Sequence, residues 1–209
     1  AIIKGTSKDT RRIFATWSDD DGLTWAEPRE ITASVKKPEW TWYATGPGAG
    51  IQIERGPHAG RLVVPCDHIE ADTKHYYSHV VVSDDHGATW RLAGRTPEHQ
   101  VNECEVAELS ANRLMLNMRN YYAGKHHRQT AISHDGGMTW GEQRLDPALI
   151  EPRCQASFRA YGWKGKGTRE VLLFSNPAHE TERLNMTVRI SRDEGATWPE
   201  TRVLHPGPS

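Results

Sequence analysis

A chain of 209 residues holds one ordinary domain with its own core, or part of a larger one. Its 26 basic and 27 acidic residues are interspersed and the formal net charge is −1, which leaves no basic face for nucleic acid or for an anionic membrane. Hydrophobic residues are 36% of the total and fall in short runs such as Leu62–Val64 and Val171–Phe174, far below the ~18 of a membrane span; Cys66, Cys104 and Cys154 are too few and too scattered for a disulfide framework or zinc ribbon.

In chain order, the first expected strand is Ile13–Trp17, which ends on the segment Ser18–Trp25 (SDDDGLTW). At Thr45–Gln52 (TGPGAGIQ), three glycines around a proline make a tight turn where backbone can approach another group closely. A strand at Arg61–Pro65 follows. Then His79–Val82 runs into Ser83–Trp90 (SDDHGATW), a near copy of the first segment. Arg113–Asn117 is a strand, and Gln129–Ile132 leads into Ser133–Trp140 (SHDGGMTW). Glu170–Phe174 is another strand, and Met186–Ile190 leads into Ser191–Trp198 (SRDEGATW). Twelve prolines and eighteen glycines punctuate these runs, and no long segment of helical period competes with them.

The shared pattern, Ser-x-Asp-x-Gly-x-Thr-Trp, starts at residues 18, 83, 133 and 191, and so at intervals of 65, 50 and 58 residues. Its serines and aspartates (Ser18, Asp20; Ser83, Asp85; Ser133, Asp135; Ser191, Asp193) can hydrogen-bond nearby amides and build a turn. The fixed glycines, Gly22, Gly87, Gly137 and Gly195, supply a positive φ that strains other residues. Each copy closes on Thr-Trp, at Trp25, Trp90, Trp140 and Trp198, expected to open the outgoing strand with the indole packed beneath the turn. Repeats of this length made of short strands read as β-propeller blades, an all-β fold.

These repeats are Asp boxes, which occur in sialidases but also in sorting receptors and assembly factors, so alone they identify architecture and not chemistry. Three further stretches are more specific. The first is Thr45–Gln52 followed by Gly60–Pro65 (GRLVVP). The second is Asn102–Leu109 (NECEVAEL) followed by Leu114–Asn120 (LMLNMRN), and the third is Arg183–Arg189 (RLNMTVR) before the last box. In this order they resemble stretches of non-viral sialidases. The resemblance implies that residues 1–209 are a partial six-bladed β-propeller with four Asp-box repeats, cut from the middle of a sialidase.

In that family three arginines bind the substrate carboxylate, a tyrosine activated by a glutamate is the nucleophile, and an aspartate is the acid/base. The resemblance implies Glu103 as the glutamate, Arg119 as the second arginine and Arg183 as the third, with Arg189 a competing choice. Glu39, just before Trp40, stands where some relatives have a glutamate touching the substrate. These residue types suit the chemistry. A guanidinium fork matches a carboxylate bidentately. A neutral tyrosine also approaches an anomeric carbon that bears a carboxylate without charge repulsion, and sialidases are the tyrosine exception among glycoside hydrolases. Strand alternation puts Glu103 and Glu105 on one face and Glu108 on the other, so periodicity does not separate the first two. The implied partner is a sialylated glycan, the implied reaction is retaining removal of terminal sialic acid, and no cofactor or metal is implied. A secreted, periplasmic or cell-surface setting would suit such a parent.

The departures from the family are as specific. Its first arginine lies in an Arg-Ile-Pro motif, which Arg12-Ile13-Phe14 does not match, and its tyrosine follows a Pro-Gly pattern near which this chain ends, at Pro206–Ser209. The expectation is a chain cut at both ends, inactive and aggregation-prone in isolation, with Ser209 within roughly 15 Å of the Glu103 carboxylate. Two other classes stay open: a non-catalytic Asp-box binding or assembly module, and a sialic-acid lectin that has lost the nucleophile. Cys66, Asp67, His68, His75 and His79 lie close in sequence, but a zinc site normally shows tighter ligand pairing. Trp40, Trp42, Tyr43, Tyr121 and Tyr122 could either stack on a sugar or pack the rim.

Overall fold

The computed structural model describes residues 1–4, 6, 7, 9–162 and 171–208. The expected neighbourhood of Ser209 and Glu103, and the Glu170 end of one expected strand, lie outside the described residues. Among those described, the only helices are Thr32–Val35 and a single 3₁₀ turn at Gly56–His58. All other regular structure is β.

Four antiparallel sheets follow one another along the chain. The first is a pair, β1 (Phe14–Ala15) and β2 (Arg29–Glu30). The second contains β3 (Trp40–Thr45), β4 (Ile51–Gln52), β5 (Leu62–Glu70), β6 (Tyr76–Ser83) and β7 (Arg91–Arg95), in the order β3-β5-β6-β7 with β4 also on β5. The third is β8 (Val101–Glu108), β9 (Leu114–Asn120), β10 (His127–Ser133) and β11 (Arg144–Ile150), joined in sequence. The fourth is β12 (Ser157–Tyr161), β13 (Val171–Pro177), β14 (Met186–Ser191) and β15 (Glu200–His205), likewise.

Apolar side chains fill the three spaces between successive sheets. Ile13, Val35, Trp40, Tyr43, Cys66 and Val81 pack between the first pair and the second sheet. Val63, Val80, Val106, Leu116, Met118 and Trp140 fill the next space. Ala107, Leu109, Leu149, Phe158, Leu172, Phe174 and Trp198 fill the last. Strand β8 touches β5, β6 and β12, so its even residues Cys104 and Val106 enter one core while Ala107 enters the next. A strand with both faces covered cannot alternate apolar and polar residues. Near-continuous burial of β8 and β9 follows.

The Asp boxes occupy equivalent places, between β1 and β2, β6 and β7, β10 and β11, and β14 and β15. Each repeats one set of bonds. The serine hydroxyl donates to the aspartate Oδ1 at 2.7–2.8 Å and accepts the glycine N–H at 2.8–2.9 Å. The threonine N–H donates to the same Oδ1 at 2.7–2.9 Å, and its hydroxyl donates to Oδ2 at 2.5–2.6 Å. Those donors hold the carboxyls of Asp20 and Asp85 down at about 2, chiefly through the hydroxyls of Thr24 and Thr89. The four glycines have φ of +86° to +90°, where a Cβ is strained.

Two local expectations need correction. The first strand is only two residues long, not Ile13–Trp17. Each Thr-Trp pair precedes the outgoing strand and does not open it, because the threonine is held back by the aspartate and the ladder starts at Arg29, Arg91, Arg144 and Glu200. The indoles also part company. Trp25 donates to Gly22 O in its own turn at 3.2 Å, whereas Trp140 donates to Gly94 O and Trp198 to Asp146 Oδ2. Asp135→Ala removes the acceptor of three bonds in the turn between β10 and β11, and is expected to cost about 2–3 kcal/mol. Urea unfolding should show it as a lower midpoint with an unchanged slope.

Candidate functional site

The second and third sheets meet at one end in an open cavity of about 280 Å³. Its wall takes Trp42 and Ala44 from β3, Asp67 and Ile69 from β5, Tyr76 from β6, Asn102 and Glu103 from β8, Arg119 from β9, and Tyr121 just beyond. No box residue contributes to it.

Glu103 and Arg119 face each other across the β8–β9 pair. Arg119 Nη1 donates to Glu103 Oε2 at 2.6 Å, and both side chains are partly open to solvent. Burial works against the guanidinium charge, but the Glu103 bond and charge more than offset it, so the group is held above its usual range. Its Nε is buried with no hydrogen-bond partner among the described residues. The Arg119 guanidinium also lies 4.9 Å from the Tyr121 ring centroid, and Tyr121 stacks on Tyr76 at 5.3 Å and 3°. An aromatic shelf thus flanks the ion pair.

Behind Arg119 the backbone is fixed by a buried pair. Arg128 Nη1 donates to Glu151 Oε2 at 2.7 Å, with both side chains no more than 1% exposed. Glu151 Oε1 in turn accepts the N–H of Asn120 at 2.6 Å. Because Asn120 is the next residue after Arg119, this bond sets where the arginine leaves the sheet.

Glu105 has a different use. Its Oε2 accepts the Phe158 N–H at 2.6 Å, and burial pushes its carboxyl up. Gly48, with φ of +136°, lies so close to it that a Cβ would overlap the carboxylate. The TGPGAGIQ turn therefore makes its close approach to Glu105 and not to the cavity. A register shift between Val101 and Cys104 breaks simple alternation here, and Glu103, not Glu105, stands in the cavity wall.

Asp67 was missed as a site residue. Its side chain is 1% exposed, and Oδ1 accepts the Trp42 indole N–H at 3.1 Å. Oδ2 is buried without a partner among the described residues. Burial first, and the Glu103 charge second, push its carboxyl up to about 7. The available signal was a carboxylate inside the apolar run Leu62–Ile69, a conflict between residue type and burial.

The remaining candidates lie as follows. Arg183 sits on the β13–β14 connection, not in a strand, and is absent from the cavity wall. Arg189 is buried in β14 and donates to Asn176 Oδ1 at 3.2 Å. Glu39 is exposed and is absent from the cavity wall. Trp40 and Tyr43 belong to the core, while Trp42 and Tyr121 line the cavity. His75 falls before β6 and stacks on His99 at 3.9 Å. His68 and His79 turn toward each other, Nδ1 to Nδ1 at 3.0 Å, under the Trp40 ring.

Residues 2–209 match the BNR repeat-like domain family. The chain is 41% identical over 194 residues to a sialidase of Micromonospora viridifaciens, covering 91% of this chain and 29% of that protein. It is 36% identical over 198 residues to a sialidase of Bacteroides fragilis (strain YCH46), covering 93% and 35%. Among solved structures, Hadza microbial sialidase Hz136 superposes with a TM-score of 0.84 at 36% identity, covering 94% of this chain and 37% of that one. The chain thus spans about a third of the length of these relatives. It belongs to the BNR repeat-like domain family, among the sialidase-related members of that family.

Proposed function

We propose that residues 1–209 contribute part of the active site of a retaining sialidase, a glycoside hydrolase that removes terminal sialic acid, with the sheets as blades of a six-bladed propeller. The observation that carries this reading is the Glu103–Arg119 ion pair of 2.6 Å, set in a cavity walled by Trp42 and Tyr121. Arg119 has one nitrogen on Glu103 and further N–H groups for a ligand carboxylate. Arg183, assigned from the family resemblance and set outside the cavity wall, is the second cation for that carboxylate. Glu103 takes the proton of a neutral tyrosine whose oxygen attacks the anomeric carbon. The glycosidic oxygen leaves with a proton from an aspartic acid, and water then hydrolyses the sugar–tyrosine bond with net retention. The tyrosine and the aspartic acid are the two groups that no motif of this chain matches. Sialylated glycans are the substrates.

In the full-length protein Glu103→Gln should lower kcat for a fluorogenic sialoside by about 10²–10⁴-fold, with affinity for free sialic acid changed little. An unaltered kcat would remove Glu103 from the mechanism.

A further inference from the structure

The four boxes share one turn but do not dock alike on the sheet before them. The third closes onto β7 through backbone: Gly94 N–H donates to Gly137 O at 2.9 Å, and Gly94 O accepts the Trp140 indole N–H at 3.1 Å. At the fourth, the Trp198 indole donates to Asp146 Oδ2 of β11 at 2.9 Å. At the second box a long side chain takes the place of backbone. Gly87 O, the counterpart of Gly137 O, accepts from Arg29 Nη2 at 2.9 Å. The Trp90 indole nitrogen is buried with no hydrogen-bond partner among the described residues. An arginine thus spans what two peptide groups span at the next box.

The wider gap is hollow. Trp90 borders one cavity of about 570 Å³ beside β2 and another of about 450 Å³ beside the first box, both within the roughly 300–1,000 Å³ of small-molecule sites. The repeat shows what normally fills this space. The residue before each box serine is apolar: Trp17, Val82, Ile132 and Ile190. Val82 is buried in one core between sheets and Ile132 packs against the next. Trp17 is instead 50% exposed and lines the smaller cavity with Trp90, Leu62, Arg29 and Asp19. No residue of this wall borders the Glu103 cavity.

The wall selects a class of ligand. Two indoles and Leu62 give it an apolar side. An indole nitrogen only donates, so Trp90 calls for an acceptor, whereas an ionised Asp19 only accepts and calls for a donor. The charges of Arg29 and Asp19 cancel, which leaves little to draw an ion. A ring with an apolar face and hydroxyls, each able to donate and accept, meets all three conditions.

We propose that the rim between the first strand pair and the second sheet is a second carbohydrate site, which takes one uncharged pyranose. The apolar face of the sugar lies on Trp17, one oxygen accepts from the Trp90 indole, and one hydroxyl donates to Asp19. The proposal does not rest on the sialidase reading, since it shares no residue with the Glu103 cavity.

The test follows the Trp90 indole N–H resonance of the full-length, ¹⁵N-labelled protein, assigned from its loss in Trp90→Phe. Methyl β-galactopyranoside and methyl α-mannopyranoside are titrated with and without saturating 2,3-didehydro-N-acetylneuraminic acid, which would occupy the Glu103 cavity. At least one pyranoside should move the resonance saturably, with a Kd on the order of 1–10 mM, and equally in both conditions. Followed by the shift of the Trp17 indole, Trp90→Phe should bind about 3–10-fold more weakly, since it keeps a ring and loses one donor. Trp17→Ala should weaken binding at least about 10-fold through loss of the apolar face. Asp19→Asn, on an exposed turn, is the further variant, with an expected loss of about 3–10-fold. Three results would each overturn the proposal: no shift with either pyranoside up to roughly 100 mM, a shift that the acid abolishes, or affinities within twofold of wild type in both Trp17→Ala and Asp19→Asn.

Discussion

Arg119→Ala in the full-length protein is expected to lower kcat/KM for a sialoside by about 10³-fold, through loss of charge-assisted bonds to the ligand carboxylate. The arginine is partly buried, already oriented by Glu103, and set in place by the Asn120–Glu151 bond. Little of the loss should therefore be recoverable by rearrangement. Arg119→Lys restores the charge but not the planar fork, and should recover only part of the activity. Steady-state kinetics on the three proteins checks this. A kcat/KM within threefold of wild type for the alanine variant would show that the guanidinium does not hold the substrate.

The second large effect concerns acid. His68 and His79 are wholly enclosed, share a contact of 3.0 Å between their Nδ1 atoms, and have both Nε2 atoms buried without partners among the described residues. Burial pushes His68 down to about 2, with His79 as the next cause, and burial alone pushes His79 down to about 3. Both values lie below the ordinary 6.5, so the folded state binds fewer protons than the unfolded chain below that pH. The stabilisation is complete above about 6.5 and is lost as the pH falls toward the folded values, by up to about 1.4 kcal/mol per pH unit for each imidazole. Asp67 runs the other way. Its folded value of about 7 lies above the ordinary 3.8, so its contribution is complete below 3.8 and is lost as the pH rises through 7. Between pH 6.5 and 4.5 one histidine's worth is cancelled, and about 3 kcal/mol should disappear. Urea unfolding at four pH values measures the slope. Asp67→Asn should steepen it about twofold, and the double variant His68→Phe/His79→Phe should flatten or reverse it. A stability that rises as the pH falls across this window, the sign left by Asp67 alone, would show that the imidazoles exchange protons freely.

These histidines also mark where sequence reading stopped. Cys66, Asp67, His68, His75 and His79 lie close in the chain, though without the tight pairing of a zinc site. The sheet distributes them instead. His68 on β5 and His79 on β6 sit diagonally across the ladder and turn into the Trp40 stack, while Asp67, one residue before His68, lines the cavity. Alternation along β5 is a simple rule, but the sheet's identity as a two-sided layer had to be known before either face could be named the core. The Asp boxes were legible for the opposite reason. Every bond that defines them joins residues no more than four apart, so composition and spacing contain the whole turn. Their tryptophans were not, since Trp140 and Trp198 take acceptors about 50 residues away, Gly94 and Asp146. Glu103 and Glu105 needed the bulge in β8 and the Gly48 contact to separate them. Glu103 and Arg119 stand in the cavity wall, and Glu39, Arg183 and Arg189 do not.

The locality of the box bonds has a kinetic consequence. A turn that closes within four residues needs no partner from another sheet, so the hairpins β6–β7, β10–β11 and β14–β15 can each find their register on the microsecond scale of isolated hairpins. The cores between sheets join residues far apart in sequence, and they must wait for loop closure over tens of residues. The chain is thereby built to assemble in order, with pre-registered hairpins as the units and their docking as the slow event. A substitution in a box should slow folding by delaying the unit. One in an inter-sheet core, such as Leu116 or Phe174, should act mainly on how long the docked state survives.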